Sequence, residues 1–353
     1  MTISDDLACI LTPDARRASG VLVAAPDKFR GSATASEVAH AMALASRQVG
    51  WECREAPLAD GGEGTLDALG GPTRADLVTG PLGKPVLAAW RMAEDLAVIE
   101  IARTSGLVLA GGHQNNDPMG ATTRGVGELV TKAIECGARR VIVAAGGSAT
   151  TDGGLDAVEV LEAFRPLDGS RGYAVLVACD VRTTFVNSAA TFGPQKGATP
   201  EQVTLLGKRL ECLADLYQYR YGVDVSQLVG AGAAGGLAGG LAALGATLAP
   251  GFDLVAAEVG LERILDGADL VITGEGRLDA SSFDGKVVGE VVRMASRFSA
   301  RVHAIVGDAA PEVRGRIPFT ALVDLYGKRR SLSATTTCIN DCVTDLLCEL
   351  SEC

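Results

Sequence analysis

Five short stretches of this 353-residue chain gather glycine with carboxylates, hydroxyls or lysine: APDKFRGS (25–32), LADGGEGT (58–65), AAGGSATTDGG (144–154), FGPQKG (192–197) and TGEGRLDASSFDGK (273–286). Glycine lets backbone N–H groups approach an anion closely, and a helix starting after such a loop adds the positive end of its dipole. Carboxylates can hold a cation or take up a proton, and lysines offset charge on a transferring group. In GGSATTDGG the hydroxyls read as further donors to an anion, with Asp152 able to hold a cation against it. Together these residue types suit phosphoryl transfer, which asks for positioning and charge neutralisation. One glycine loop after a strand is more often just a turn. Five such loops, each also bearing Asp, Glu or Lys, indicate a shared polar cleft, because carboxylates beside buried strand ends are costly without partners.

Other chemistries find less support. The chain has no GxxxxGK[ST] phosphate loop. GAGAAG at 230–235 matches GxGxxG, yet the preceding SQLV is a poor strand, and GLAGGLAALG reads as a small-residue helix packed closely on its neighbours. Of the three histidines, His40 lies in a helical pattern, His303 in a strand pattern and His113 in a loop, which argues against a histidine triad or a multi-histidine metal site. A net charge of −11 with no basic patch argues against nucleic-acid or anionic-membrane partners. The start lacks a signal layout and no apolar run is long enough to span a bilayer, so the expected location is cytoplasmic, with reduced cysteines and a homo-oligomer possible. Among the nine cysteines, from Cys9 to Cys353, Cys338 and Cys342 continue into Leu346 and Leu350 at intervals of four, the stripe of a buried helix rather than a metal site.

The clusters need a scaffold, and the apolar runs supply one. VLVAAP (21–26), LAVIEIA (96–102), RRVIVAA (139–145), YAVLVACD (173–180), ADLVITG (268–274) and ARVHAIVG (300–307) are mostly continuous, as expected for strands covered on both faces. Helical patterns lie between them, as in SEVAHAMALASRQV, TRGVGELVTKAIECG and FDGKVVGEVVRMASRF, with Ser or Thr at 32–37 available to cap the first. This alternation predicts α/β layering with parallel sheets, and ligands in such folds collect beyond the carboxyl ends of the strands. The length suits two domains. Segment 66–120 is broken into short strands and turns, so a second, less regular unit inserted into a doubly wound one is expected.

In order along residues 20–310, APDKFRGS, ADGGEGT, NDPMGATTRGVGEL, GGSATTDGG, VACDV, FGPQKGATPEQ, GAGAAGGL and ITGEGRLD…GK resemble the bacterial glycerate kinase family of the type-I, glycerate 2-kinase-like class. The resemblance implies a flavodoxin-like doubly wound parallel-sheet domain (18–65 and 250–353) and a second, inserted α/β domain (66–249). It implies phosphorylation of D-glycerate by ATP with Mg²⁺, commonly at the 2-hydroxyl. The matched motifs make Asp180, Lys28 and Lys286 the expected catalytic residues, and Asp152 and Glu275 the expected metal ligands. Substrate and nucleotide would fall to Asp27, Asp60, Gly61, Gly62, Glu63, Gly146, Gly147, Ser148, Thr150, Lys196, Gly274, Gly276, Arg277 and Asp279. Only FRPLDGSRG (164–172) separates the helix after the glycine loop from the next strand, a shorter stretch than the family usually has. Alternative readings are a diverged member with another small hydroxy-acid substrate or no activity, and a dinucleotide-dependent oxidoreductase using GAGAAG.

Overall fold

A computed structural model describes residues 20–352 and forms two sheets. In chain order the strands are β1 (Val21–Pro26), β2 (Glu52–Glu55), β3 (Arg74–Thr79), β4 (Pro85–Ala93), β5 (Leu96–Glu100), β6 (Arg140–Ala144), β7 (Ala174–Ala178), β8 (Thr247–Ala249), β9 (Leu270–Leu278), β10 (Arg301–Ala309) and β11 (Phe319–Ala321). The helices are α1 (Ala35–Gln48), α2 (Thr65–Ala68), α3 (Arg124–Glu135), α4 (Leu155–Leu161), α5 (Ser188–Phe192), α6 (Pro200–Tyr221), α7 (Leu237–Ala243), α8 (Gly251–Val259), α9 (Leu261–Leu265), α10 (Val287–Ser296), α11 (Leu322–Ser333) and α12 (Thr335–Glu352). One sheet runs β2-β1-β9-β10-β11 and is parallel throughout, which is the doubly wound order of flavodoxin-like folds. The other runs β3-β4-β5-β6-β7-β8; its β5 to β8 are parallel, and the β3–β4 hairpin adds an antiparallel edge.

The continuous apolar runs are strands buried on both faces. Along β1, Leu22 and Ala24 join one cluster with Val38, Met42 and Ile339, while Val23 and Ala25 join a separate one with Phe252, Val287 and Val291. That is the period of two expected of a central strand, with α1 and α12 on one side and α8 and α10 on the other. Cys338 and Cys342 are buried in the first cluster, and Leu346 and Leu350 pack against it, so the C-terminal stripe is core. Helix α1 begins at a capping box. The Thr34 hydroxyl accepts from Glu37 N at 3.2 Å, and the Glu37 carboxylate accepts from Thr34 N at 2.8 Å.

GAGAAG does not have a dinucleotide-binding context. Residues 226–232 form turns with no strand before them, and the motif continues into a tight helical turn in which Ala234 has φ 53°. Its role is close packing, since a Cβ on Gly235 would overlap the carbonyl of Thr150 in the facing glycine loop. The oxidoreductase reading thereby loses its one motif. Cys9, Cys353 and residues 18 and 19 lie outside the described residues. Among the described residues, no helix is long and apolar enough to cross a membrane.

Candidate active site

The strand order of the first sheet reverses between β1 and β9, and the loops leaving these parallel strands open a crevice at that switch point. Asp27 follows β1 directly, and its N–H donates to the carbonyl of Gly274 on β9 at 2.8 Å, so Asp27 and Glu275 emerge side by side. Here a cleft of 560 Å³ is lined by Asp27, Lys28, Asp60, Glu275, Gly276, Arg277, Asp279 and Lys286 among others. A second cleft of 570 Å³ faces the other sheet and is lined by Asp60, Gly61, Gly62, Glu63, Gly146, Gly147, Ser148, Asp180 and Lys196. The two meet at Lys28, Arg30, Asp60 and Lys286, which line both. Loops distant in sequence thus converge on one polar space.

The glycine loop after β6 divides its labour. Gly146, Gly147 and Ser148 face the second cleft, and a Cβ on Gly146 would stand 2.6 Å from Gly62 Cα, so glycine is needed where this loop meets the one after β2. The rest of the loop turns inward. Thr150, expected to bind ligand, is fully buried and donates from its hydroxyl to the carbonyl of Ala234 at 3.3 Å. Asp152, expected to bind metal, is 1% exposed; Oδ2 accepts from Thr123 N at 2.9 Å and Thr123 Oγ1 at 2.7 Å, and Oδ1 from Gly154 N at 3.1 Å. Burial pushes its carboxyl pKa upward against those hydrogen bonds. It caps and cross-braces the loop and is not among the cleft-lining residues. Gly274 likewise is a packing position, where a Cβ would collide with the carbonyl of Ile305 on β10.

The side chains that do face the clefts are electrostatically tense. Burial pushes the Asp27 carboxyl up to about 6, Lys28 opposing and Asp60 adding to it. Lys28 sits 3.4 Å from Asp27 and 3.9 Å from Asp60; burial works against its charge, but the two carboxylates hold its pKa above the ordinary lysine value. Asp180, at the end of β7, accepts from Gly251 N at 2.9 Å, and loss of hydration, then Asp60, pushes its carboxyl up to about 7. Asp180 remains open to the cleft. Lys196 is 3% exposed, donating to Ser148 Oγ at 2.8 Å and to the Thr150 carbonyl at 2.6 Å, and burial pushes its amine down to about 7. Burial lifts Glu275 to about 7, and its Oε1 is buried without a hydrogen-bond partner. Lys286 donates to Ser281 Oγ at 2.7 Å, and Ser281 Oγ donates to Asp279 at 2.6 Å, which holds Asp279 below the usual carboxylate range.

No group of three or more His, Cys, Asp or Glu side chains is arranged to hold a metal among the described residues. What exists is an unsatisfied carboxylate oxygen on Glu275 close to Asp27. That fits a magnesium ion whose remaining ligands are phosphate oxygens and water, the usual way this ion is bound in phosphoryl transfer.

Two residues not among the expected site residues also support the clefts. Glu100 ends the apolar run of β5 and is 1% exposed; one oxygen accepts from Gly64 N at 2.8 Å and Leu66 N at 2.9 Å, the other from Arg103 Nε at 2.8 Å. It therefore ties the loop carrying Asp60 to the second sheet. Asn116 donates to the carbonyls of Ala149 and Lys196, both at 2.9 Å, joining the glycine loop to the lysine turn. A carboxylate closing a buried strand was the available signal for Glu100; Asn116 opens the NDPMGATTRGVGEL stretch, but its type alone did not show which carbonyls it would join.

An α/β scaffold with a flavodoxin-ordered sheet and an anion-receptive cleft beside its switch point defines a class of small-molecule enzyme. The sequence model of the glycerate kinase family matches residues 22–171 and 165–347, and the chain belongs to that family. It is therefore a phosphotransferase. It is 37% identical over 329 residues to the glycerate 2-kinase of Escherichia coli K12, covering 83% of this chain and 86% of that one. It is 39% identical over 324 residues to the glycerate kinase of Bacillus subtilis 168, covering 81% and 84%. The fold is similar to the crystal structure of a candidate glycerate kinase 2 from Salmonella typhimurium LT2, with a TM-score of 0.79, 31% identity, and 94% and 98% of the two chains covered. The match extends through residue 347, beyond the 310 expected, and its two stretches meet at 165–171, where the sequence is shortened.

Proposed function

We propose that this enzyme transfers the γ-phosphoryl group of ATP to the 2-hydroxyl of D-glycerate, giving 2-phosphoglycerate and ADP. The observation that carries the reading is the junction of the two clefts at Lys28, Asp60 and Lys286, with Asp180 facing one of them. The relatives whose names specify glycerate support the acceptor. Asp180 accepts the hydroxyl proton as the acceptor oxygen forms its bond to phosphorus; the bond to the ADP oxygen breaks, ADP departs with the electron pair, and Asp180 releases the proton to solvent. Lys28 and Lys286 offset charge on the transferring group, and Lys196 offsets the anion in its own cleft. Glu275 and Asp27 would hold Mg²⁺, which when bound draws charge from the phosphate oxygens.

The test is ADP release measured with purified enzyme over a panel of small hydroxy acids, D- and L-glycerate included, with phosphorus NMR to locate the ester. D-glycerate is expected to be the best acceptor and the 2-ester the product. ADP release with another hydroxy acid alone, or formation of the 3-ester, would overturn the assigned substrate or position.

A further inference from the structure

The two clefts are similar in volume but differ in their chemistry. The one beside the second sheet is built around a buried amine and the hydroxyl that accepts from it, Lys196 and Ser148, 2.8 Å apart, with backbone glycine on its wall. Such a pocket suits a compact anion such as the carboxylate of a hydroxy acid. The one at the β1–β9 switch point is closed on its far side by α11, which contributes Val323, Lys328 and Leu332. Leu332 is 55% exposed and Val323 half-buried, an apolar wall left uncovered. Lys328 and Arg30 are exposed cations without a carboxylate partner among the described residues, in a chain whose net charge is −11. An apolar wall, two unpaired cations and the mouth of a parallel-sheet switch point are what a nucleoside with a chain of phosphates requires.

We infer that the nucleotide lies in the switch-point cleft, its base and ribose against Val323 and Leu332 and its phosphates beside Lys328 and Arg30, while the hydroxy acid takes the cleft of Ser148 and Lys196. The inference rests on the kinase reading and divides its single polar space into donor and acceptor halves. It gives α11, which carries none of the glycine motifs, the selection of the phosphate donor. Phosphates running from Lys328 toward Lys28 and Lys286 reach the place where both clefts meet, so the transferring group arrives within reach of an acceptor held on the other side.

The experiment uses Lys328→Ala and Leu332→Glu, two surface positions that line the switch-point cleft and not the other. Binding of Mg²⁺–ATP is measured by calorimetry, and KM for ATP and for glycerate are measured separately. Circular dichroism melting confirms that each variant is folded. Each change is expected to weaken nucleotide binding and to raise KM for ATP roughly 10-fold, the loss of one charge-assisted or apolar contact, with KM for glycerate steady. Ser148→Ala is expected to raise KM for glycerate and leave nucleotide binding alone. A rise in KM for glycerate in the α11 variants, unchanged nucleotide binding in both, or no nucleotide binding by the wild-type enzyme would overturn the assignment. If the wild-type enzyme binds ATP through α11 but transfers phosphate to no hydroxy acid, the cleft assignment stands and the glycerate reading fails.

Discussion

Asp152 and Asp180 both follow central strands of the second sheet, both lie in stretches that resemble the same family's motifs, and from their residue type either could serve a phosphoryl-transfer site. Their surroundings separate them. Asp152 spends both oxygens on Thr123 and Gly154 inside the protein, whereas Asp180 receives one backbone donor and otherwise faces a cleft with Asp60 and Lys28 nearby. A carboxylate whose acceptor capacity is filled by fixed donors is a brace; one left short of donors beside a cavity is available for a proton or a ligand.

Five experiments press on that contrast. Asp180→Asn should lower kcat/KM by about 10³-fold, the scale of a lost general base, with little change in melting temperature; near-normal turnover would remove Asp180 from its role. In the wild type the raised Asp180 pKa places the acid limb of kcat/KM on the neutral side of the ordinary carboxylate range, and activity should fall as pH drops through it. Asp152→Ala should do the opposite, costing roughly 3 kcal/mol of stability by stranding buried donors while the folded fraction still turns over. A stable but inactive Asp152→Ala protein would put this residue back in the chemistry. Lys196→Met tests the buried amine by its pH signature. A depressed lysine pKa means the unfolded chain binds more protons than the native one above about 7, so wild-type stability should rise with pH toward the ordinary lysine pKa, at most about 1.4 kcal/mol per pH unit more steeply than the variant. Parallel curves in denaturant titrations at several pH values would contradict it. The smallest effect is expected of Glu275→Gln, a rise of roughly 10-fold in the Mg²⁺ concentration for half-maximal rate, and an unchanged requirement would detach Glu275 from the metal.

The contrast also shows what the sequence could convey. Runs such as VLVAAP and RRVIVAA marked central strands because burial on both faces leaves no room for polar alternation. ECRE of β2 and the β3–β4 hairpin did not stand out, since edge strands expose polar or mixed side chains; Leu77 and Leu87, paired across that hairpin, are 67% and 71% exposed. Asp27, Asp180 and Glu275 were readable because each ends or follows an apolar run, although β9 continues past Glu275 to Leu278, and Asp60 was marked by its glycines alone. Asp152 was misread because one-dimensional text records a carboxylate and not the donors that Thr123 brings from a segment almost thirty residues earlier. Gly274, expected to bind ligand, instead answers to the neighbouring backbone of Ile305, whereas the close packing expected of the GAGAAG stretch is what Gly235 makes against Thr150. The contribution of α11 lay beyond any motif, because a kink at Gly327 and the course of the preceding strand decide which of its residues meet the cleft.

The order β2-β1-β9 carries a consequence for how the molecule is made. Strand β1 pairs with β9 through Leu22 opposite Leu270, so the first two strands must wait for a partner synthesised almost 250 residues later, while β3 to β8 arrive in one uninterrupted stretch. All strands of the second sheet are therefore made before β9, and β1 can pair with β9 only after that. The crevice at the switch point, walled by loops from β1 and β9, thus depends on two strands almost 250 residues apart in the chain.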